Sequence, residues 1–389
     1  MSKYVIDNDT LTAIGDAIRT VDETTDSIPV VDIPNRILTL EKPGSSGITL
    51  TGKLDSAFKS TCWTDKVISQ FNTKDIRTLA YAFQNNTAIV DISGLEIDCD
   101  FSWNDSSFTD TFYGCNKLKK LPKLTGECKP RGMFDIFYNC YCLPTEEITN
   151  FLDSINYDKL STTAAQSHFG ALFEGCASLR APAPAYIIRN EKYDQRVGGV
   201  DAIYYHLFKN CWVLDEILDL PIIDRDAYWS ANSFNETFYC CGRLKNMTFE
   251  TNADGTPVVV EWENQNIKLN YNVGYVYDTN KTNITKYNSG ITTDKLVSDD
   301  ATYQALKNDP DWYTTDSNYS RYNHDSAVAT INSLPDASAY LAANSGTINT
   351  ITFLSSAGAS TDGGAVNTLT EEEIAVAAAK GWTIAYGAY

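Results

Sequence analysis

The stretch Phe169-Gly-Ala-Leu-Phe173-Glu-Gly-Cys176-Ala-Ser-Leu179 contains a pattern that recurs, with variations, between Leu79 and Met247. The pattern is a large apolar residue, three residues, a phenylalanine, two residues, a cysteine, two residues and a leucine. A degenerate first copy has asparagine in place of the cysteine. The remaining copies are Phe108/Phe112/Cys115/Leu118, Met133/Phe137/Cys140/Leu143, Tyr204/Phe208/Cys211/Leu214 and Phe234/Phe238/Cys241/Leu244, and the degenerate copy is Leu79/Phe83/Asn86/Ile89.

The spacing i, i+4, i+7 places two large apolar side chains and a cysteine on one face of two helical turns. The leucine then opens a short extended segment, as in Leu118–Leu121, Leu214–Ile217 and Leu244–Met247. A unit this small cannot bury its apolar face alone, whereas neighbouring copies that stack side by side can. The sequence therefore predicts an α/β solenoid. The repeat phenylalanines lie 25 to 36 residues apart, which indicates insertions in the loops between conserved units.

This pattern resembles the BspA-like leucine-rich repeats, whose units combine a helical Phe-x2-Cys-x2-Leu segment with a strand. The resemblance covers Leu79 to Met247 directly and implies an irregular solenoid over residues 48–255. It implies that strands line one face of the stack and helical turns the other. The chain departs from the family pattern at Asn86 and in the long insertions after Leu143 and Leu179.

Residues 1–43 differ in character from the repeats. Asn8-Asp9-Thr10 is a helix-capping sequence, and Leu11, Ile14 and Ile18 follow on one helical face. Two interpretations remain open: a cap on the first repeat, or a docking or oligomerisation segment. Thr10-Leu-Thr-Ala-Ile14-Gly-Asp-Ala-Ile18-Arg19, preceded by Tyr4-Val-Ile6, is similar to N-terminal segments of phage tail and fibre proteins, which favours docking. Lys42–Gly47 is predicted to be a linker.

Residues 256–389 are predicted to form a divergent, β-rich C-terminal repeat or capping region. Alternating patterns predict strands at 257–262, 267–271, 274–277 and 347–353. A helix is predicted over 298–306, and the capping box Thr370-Glu-Glu-Glu373 predicts another through Ala379. Gly381 should end this helix, and Trp382–Tyr386 should form a last strand. Elsewhere, Pro144-Thr-Glu-Glu-Ile148 predicts a helix in the insertion that follows Leu143.

The net charge of −19 argues against a nucleic-acid partner and against binding to anionic membranes, because both need a surplus of Lys and Arg. No run reaches the 18 to 20 apolar residues of a membrane span. The sequence from Met1 to Asp7 lacks the apolar core of a secretory signal, so ordinary secretion is not expected. The thiols of a protein that stays in the cytoplasm during synthesis should be reduced.

The cysteines and histidines, which form disulfides or bind metals in other proteins, have structural interpretations here. Five of the ten cysteines occupy one repeat position, which predicts small apolar packing groups in a ladder. A helix-packing distance of about 8–10 Å between neighbouring turns would prevent disulfides within this ladder. Cys140-x-Cys142 and Cys240-Cys241 lack the spacing of zinc ligands, and His168, His206 and His324 are assigned to loops or packing.

No catalytic, cofactor-binding or metal-binding residue is predicted. Neither a Gly-x-Ser-x-Gly motif nor a phosphate-binding loop is present. Paired acids could in principle serve glycoside hydrolysis, but most fit helix caps or solvated turns better. These pairs are Asp98/Asp100, Asp224/Asp226 and Glu371/Glu372.

The two resemblances together predict a structural protein of a phage virion, in a tail, a baseplate or a head fibre. Its expected partners are other virion proteins through residues 1–43, further copies of itself, and bacterial surface glycans. A bacterial surface adhesin is the alternative, and a glycan-degrading enzyme is a weaker one. Aromatic residues beside polar loops are candidates for stacking on sugars or for packing, namely Tyr228, Trp229, Tyr275, Tyr277, Trp312, Tyr313, Tyr319 and Tyr322.

Overall fold

A computed structural model describes residues 48–101, 107–130, 132–156, 170–184, 204–211, 214–222, 234, 236–239, 241, 244–269, 275–277, 284–286, 322–354 and 369–387. The chain divides into two compact units, residues 1–161 and 162–389. The predicted helices over 8–18 and 298–306 lie outside the described residues, as does the predicted linker. The predicted domain boundaries at 43/48 and 255/256 stay predictions.

The first unit contains a parallel sheet built from one strand per repeat. Its four strands follow the order β1 (Thr49–Lys53), β2 (Asn72–Thr78), β3 (Glu96–Asp100) and β4 (Lys123–Glu127), and each strand pairs with the next along the chain. β3 and β4 are in continuous register, with Glu96 opposite Lys123 and Asp100 opposite Glu127. Strand β4 begins at Lys123, several residues after Leu118, the leucine of its repeat. The predicted strand at Leu118–Leu121 is therefore displaced toward the C-terminus, to β4.

Behind this sheet, the repeat phenylalanines form one column of buried rings. Phe58, Phe83, Phe112 and Phe137 stack in succession, with centroids 5.1, 5.3 and 6.0 Å apart and interplanar angles of 23°, 18° and 5°. All four side chains are fully buried. Phe58 belongs to a further copy, Leu54-x3-Phe58, that precedes the copies recognised in the sequence. The phenylalanine register predicted from the repeat is confirmed in this unit.

Two helices close gaps around the column. The short helix α1 (Asp65–Ile68) lies between β1 and β2 in the chain, and its Val67 and Ile68 side chains are buried. Helix α2 (Thr145–Asp153) confirms the helix predicted after Pro144 and buries Ile148, Phe151 and Leu152. The Phe151 ring meets Phe108, Phe112 and Phe137 edge-on at 5.5–5.7 Å.

The repeat segment itself is a series of tight turns, so the predicted α-helical turns are wrong. Residues two before and two after the repeat phenylalanines from Phe83 to Phe208 have positive φ, as at Asp110 (52°) and Gly114 (73°) around Phe112. Amide groups alternate in direction: Thr111 N donates to Phe108 O within the turn, while Phe112 N donates to Ile136 O of the next repeat at 3.0 Å. Neighbouring repeats are consequently joined by main-chain hydrogen bonds, and the predicted helix-packing separation is also wrong.

The second unit repeats this arrangement. Phe173 stacks on Phe208 at 5.7 Å, and Tyr204 stacks on Phe234 at 4.4 Å. Ala171 N, Phe173 N and Gly175 N donate to Tyr205 O, Leu207 O and Lys209 O of the following repeat. Strands β5 (Glu216–Leu220) and β6 (Asn246–Phe249) pair in parallel and overlap the strands predicted at 214–217 and 244–247.

The C-terminal part of this unit has a parallel sheet in the order β11 (Trp382–Gly387), β10 (Asn349–Leu354), β7 (Asn266–Leu269). Helices α3 (His324–Ser333) and α4 (Ser338–Asn344) precede β10, and α5 (Glu371–Ala379) precedes β11. A separate antiparallel hairpin consists of β8 (Tyr275–Tyr277) and β9 (Ile284–Lys286). The predicted strand at 257–262 is wrong, because this segment makes only isolated bridges at Pro257 and Val259.

The last helix and strand confirm the predicted capping box. Thr370 Oγ1 accepts from Glu373 N at 3.2 Å, and Glu373 Oε2 accepts from Thr370 N at 2.7 Å. Gly381, with φ of 83°, ends the helix. Lys380 Nζ donates to the carbonyls of Ile331 and Asn332 at 2.8 and 2.7 Å, where it places a cation at the negative end of α3.

Candidate functional site

The turns of the repeats form a polar surface, here called the turn face, whose side chains are aligned in columns. One column holds the residue after each repeat phenylalanine, and another holds the residue two before it. Because main-chain bonds join the repeats, successive side chains of a column lie about 4.8 Å apart, as in a sheet. In the first unit the columns are Lys59/Gln84/Tyr113/Tyr138 and Ser56/Tyr81/Asp110/Asp135.

Half-exposed tyrosine rings lie along the turn face of the first unit. Tyr113 and Tyr138 stack face to face with centroids 4.4 Å apart and an interplanar angle of 3°. The Tyr81 side chain, 40% exposed, lies under the Lys59 ammonium at 6.0 Å from the ring centroid. This distance is at the outer limit for a cation–π contact. The surface thus offers flat aromatic faces held by a rigid main chain.

Carboxylates flank these rings. Burial raises the pKa of Asp110 to about 6, and the charge of Lys59 opposes that rise. Burial also raises the pKa of Tyr81, assisted by the negative charges of Asp110 and Asp55. An aromatic ring with carboxylate acceptors beside it is suited to a ligand with an apolar face and hydroxyl donors at its edge.

The exposed face of the β1–β4 sheet has a different chemistry. None of its four strands contains an aromatic residue. Its outward positions carry threonines and charges of both signs, including an exposed Glu96–Lys123 pair separated by 3.9 Å. Such exposed pairs contribute roughly 0–1 kcal/mol. Among the described residues of the first unit, the turn face presents aromatic rings and the four strands do not.

In the second unit the corresponding repeat positions carry a charged cluster, defined as Glu174, His206, Lys209 and Glu236. His206 lies between the acids, with Nδ1 2.9 Å from Glu174 Oε2 and Nε2 3.3 Å from Glu236 Oε2. Lys209 Nζ lies 2.5 Å from Glu236 and 3.6 Å from Glu174. Burial opposes the charge of Lys209, but the hydrogen bond to Glu236 and the charges of both acids outweigh it and raise its pKa.

This charged cluster links three successive repeats. Glu174 and Lys209 come directly after the repeat phenylalanines Phe173 and Phe208, and His206 and Glu236 come two residues before Phe208 and Phe238. The Glu174 side chain is 5% exposed, so its carboxylate is held by the ion pairs rather than by water. The cluster therefore fits a stabilising role between repeats, and its buried acid is poorly placed to meet a large ligand.

The repeat cysteines are hydrogen-bond donors, which corrects their prediction as simple apolar packing groups. Four of the five repeat thiols donate to the carbonyl of the preceding repeat phenylalanine at 3.0–3.1 Å, in the pairs Cys115/Phe83, Cys140/Phe112, Cys211/Phe173 and Cys241/Phe208. Asn86 takes the same position and donates to Phe58 O at 3.0 Å and Trp63 O at 2.9 Å. The asparagine that departs from the pattern thus keeps its hydrogen bond.

All nine cysteines in the described part of the chain are free thiols, and eight of them are buried. Burial raises the pKa of Cys115, Cys176 and Cys211. The Cys128 thiol contacts the Cys99 thiol with sulfurs 3.5 Å apart, well beyond the roughly 2.05 Å of a disulfide bond. The buried thiols are inert as nucleophiles and serve the packing of the repeats.

The aromatic residues named as sugar-stacking candidates are not brought together by the described structure. Tyr322 is buried, stacks on Phe353 at 6.0 Å and shares a short hydrogen bond with Thr330, so its packing interpretation is correct. Tyr275 and Tyr277 form β8, and the placement of their side chains lies outside the description. Tyr228, Trp229, Trp312, Tyr313 and Tyr319 lie outside the described residues.

The remaining predicted features are dispersed. Asp98 and Asp100 lie on strand β3, not on a turn, and Glu371 and Glu372 are exposed in the first turn of α5. Asp224, Asp226 and His168 lie outside the described residues. His324 begins α3, and its Nε2 lies 3.1 Å from Glu373 Oε2 on α5.

Within the described residues, no group of three or more His, Cys, Asp or Glu side chains is arranged to hold a metal ion. Among the helices of the described ranges, none has the length and apolar character needed to cross a membrane.

The turn-face tyrosines are not among the sites predicted from the sequence, because the repeat pattern is defined by its buried positions. A sequence signal existed: every intact copy has Asn or Gly two residues after its phenylalanine, except the last, which has Cys240. These are residues that tolerate positive φ. Comparison of the chain with protein-family models, with curated proteins and with solved structures finds no match.

Proposed function

We propose that this chain is a structural protein of a phage virion, in a tail, baseplate or head fibre, and that its repeats form a solenoid which presents the turn face for host recognition. The proposal of a virion role rests on the resemblance of residues 1–43 to phage docking segments. The proposal of recognition rests on one observation of the repeats. Tyr113 and Tyr138 stack in one column of the turn face, and Tyr81 is exposed in the other column, on turns that main-chain bonds hold together.

Neutral bacterial glycans are the partner class that this surface fits best. Sugar rings stack on flat aromatic faces, and their hydroxyls donate to carboxylates such as Asp110. The net charge of −19 repels anionic polymers. Because the turns are held by main-chain bonds between repeats, little conformational entropy is lost when a ligand binds. Residues 1–43 would anchor the chain to other virion proteins.

Two measurements test this proposal. Gold-labelled antibody against the chain should decorate intact particles at one structural location in electron micrographs. Purified full-length chain should then compete with those particles for adsorption to host cells. Competition should be lost in Tyr81→Ala/Tyr113→Ala and kept in the strand-face control Lys74→Ala/Lys123→Ala.

The outcomes separate the two halves of the proposal. Undecorated particles would contradict the virion role. Decorated particles whose adsorption is unaffected by saturating chain would contradict host recognition and leave an assembly role. Equal loss of competition in the turn-face and strand-face variants would contradict the assignment to the turn face.

A further inference from the structure

Helix α3 covers the outer edge of β6, the last strand of the β5–β6 sheet. β6 pairs with β5 on one side, and none of the other described strands pairs with its second side. Glu250 N, directly after β6, donates to Leu220 O of β5. Main-chain groups alternate in direction along a strand, so those of Met247 and Phe249 point away from β5. In a wider sheet the next strand would bond to these groups.

Hydroxyl groups of α3 bond to this outer edge. They form three helix–strand pairs, Ser326/Lys245, Thr330/Met247 and Ser333/Phe249. Ser333 Oγ accepts from Phe249 N at 3.0 Å and donates its own proton to Thr330 O at 2.9 Å. Thr330 Oγ1 lies 2.5 Å from Met247 O and 3.0 Å from Ser326 O, so its shorter contact is to the strand. The three hydroxyl side chains are buried, and the strand groups are thus satisfied within the chain.

The spacing of the hydroxyls on the helix matches the spacing of the outward groups on the strand. Residues i, i+4 and i+7 lie on one face of a helix, as Ser326, Thr330 and Ser333 do. Four helix residues rise about 6 Å, and two strand residues rise about 6.6 Å. Successive hydroxyls therefore meet successive outward residues of β6. The helix also buries the apolar side chains of Ala327 and Ile331, so it packs through one face and bonds through another.

The ends of α3 are fastened to the segment of α5. At the first turn of α3, His324 Nε2 lies 3.1 Å from Glu373 Oε2. At its last turn, Lys380 Nζ donates to the carbonyls of Ile331 and Asn332. Contacts at both ends hold the hydroxyl face of the helix against the strand.

Helix formation alone does not explain the hydroxyl side chains. Serine and threonine are poorer helix formers than alanine, and their side chains compete with helical hydrogen bonds. An open edge strand is a template for pairing with another chain, and charges, prolines or a covering helix prevent that pairing. β6, with the sequence Asn-Met-Thr-Phe, has neither charge nor proline. The helix supplies the protection that the strand lacks.

We propose that α3 is an edge cap, whose row of hydroxyls takes the place of a further strand and keeps β6 from pairing with the β6 strand of a second copy of this chain. Two identical edges can pair antiparallel about a two-fold axis, so each copy with an uncovered β6 would be a partner for every other copy. The cap ends the β5–β6 sheet at β6.

The test compares two lysine substitutions in the full-length chain. Thr330→Lys places a charged side chain between α3 and β6, and lysine is a better helix former than threonine, so α3 should leave the edge but stay helical. Ala339→Lys places the same charge at an exposed position of α4 and is the matched control. Sedimentation velocity over a range of concentrations should show association of Thr330→Lys beyond that of the parent. Ala339→Lys should match the parent.

Hydrogen exchange at the amides of Met247 and Phe249 distinguishes strand pairing from non-specific aggregation. Both amides should be protected in associated Thr330→Lys and should exchange faster when it is diluted. Association that leaves both amides in fast exchange overturns the proposal. A Thr330→Lys chain that melts like the parent and keeps the parent's mass at all concentrations also overturns it.

A milder variant decides if Thr330→Lys fails to fold. Thr330→Val/Ser333→Ala removes two hydroxyls and nearly keeps the volume of the helix face. Its Phe249 amide should exchange at least about fivefold faster than in the parent, as expected for the loss of one hydrogen bond. It should also associate more than the parent. An unchanged exchange rate overturns the hydroxyl cap, and faster exchange without added association overturns its role against self-pairing.

Discussion

Replacing Phe112 by alanine should remove the centre of the phenylalanine column. Its ring is fully buried, stacks on Phe83 and Phe137 at 5.3 and 6.0 Å, and meets the edge of Phe151 at 5.5 Å. Truncation of a buried phenylalanine costs about 3–5 kcal/mol. Three aromatic neighbours that each contribute about 0.5–1.5 kcal/mol beyond burial place the expected loss in the upper half of that range.

The assay is thermal unfolding of the full chain followed by circular dichroism. For a unit of 161 residues, each kcal/mol shifts the midpoint by about 2–4 °C. A loss of about 4 kcal/mol should therefore lower the transition of the first unit by about 8–16 °C. Tyr81→Ala is the control, because this ring is 40% exposed and its removal should shift the midpoint by only about 1–3 °C. Equal shifts in the two variants would refute the stacked-column interpretation.

Three further predictions follow from individual groups. Thiol titration of the denatured chain, without reductant and after cytoplasmic expression, should find close to ten free thiols, and a count near zero would contradict the thiol ladder. Burial lowers the pKa of Lys380 to about 8 from 10.5, so the stability that this residue contributes is present at high pH and lost as pH falls from about 10.5 to 8. The free energy of unfolding of the parent, measured by denaturant titration relative to Lys380→Met, should accordingly rise with pH across that window by up to about 3 kcal/mol. A difference in unfolding free energy that does not change with pH would show that the pKa of Lys380 in the folded chain is ordinary. A chain that starts at Gly47 should melt cooperatively but fail to join its particle, whereas an unfolded truncation would support the cap interpretation of residues 1–43.

The sequence predicted the buried register of the repeats because phenylalanine and cysteine recur at fixed spacing and stacking buries both. It predicted α5 and β11 because the capping box and Gly381 are local signals. It failed where the chain conformation depends on the neighbouring repeat. The i, i+4, i+7 spacing suits a helix, but the main-chain bonds from Phe112 N to Ile136 O can form only when the turns open toward the next repeat.

The missed elements have similar causes. Helix α3 begins after Asn323, whose Oδ1 accepts from Ser326 N at 2.9 Å, but its few large apolar residues give a weak periodic signal. The segment 257–262 alternates like a strand but forms only isolated bridges. Val260 N donates to Asp336 O and Asp336 N donates to Val258 O, so these hydrogen bonds join the segment to a single residue and not to a neighbouring strand. The turn-face tyrosines occupy variable positions, so their alignment becomes visible only once the repeats are stacked.

Cross-linking between adjacent turns tests the stacked-repeat account most directly. Tyr113 and Tyr138 are consecutive members of one column, whose main-chain positions are about 4.8 Å apart. Disulfides form when Cα atoms lie about 4.4–6.8 Å apart. Gln84 and Tyr138 belong to the same column but are two repeats apart, at about 10 Å. The background should carry Cys62→Ser and Cys240→Ser, because Cys62 is exposed and Cys240 lies outside the described residues.

Mild oxidation of the folded chain, followed by peptide mass spectrometry, reads out the distance. If main-chain bonds join adjacent turns, an intramolecular disulfide should form in Tyr113→Cys/Tyr138→Cys and none in the control Gln84→Cys/Tyr138→Cys. The helix-packing separation of about 8–10 Å would leave both pairs reduced. Two reduced pairs in a chain that melts like its parent, or equal cross-linking of both pairs, would contradict the main-chain-bonded stack.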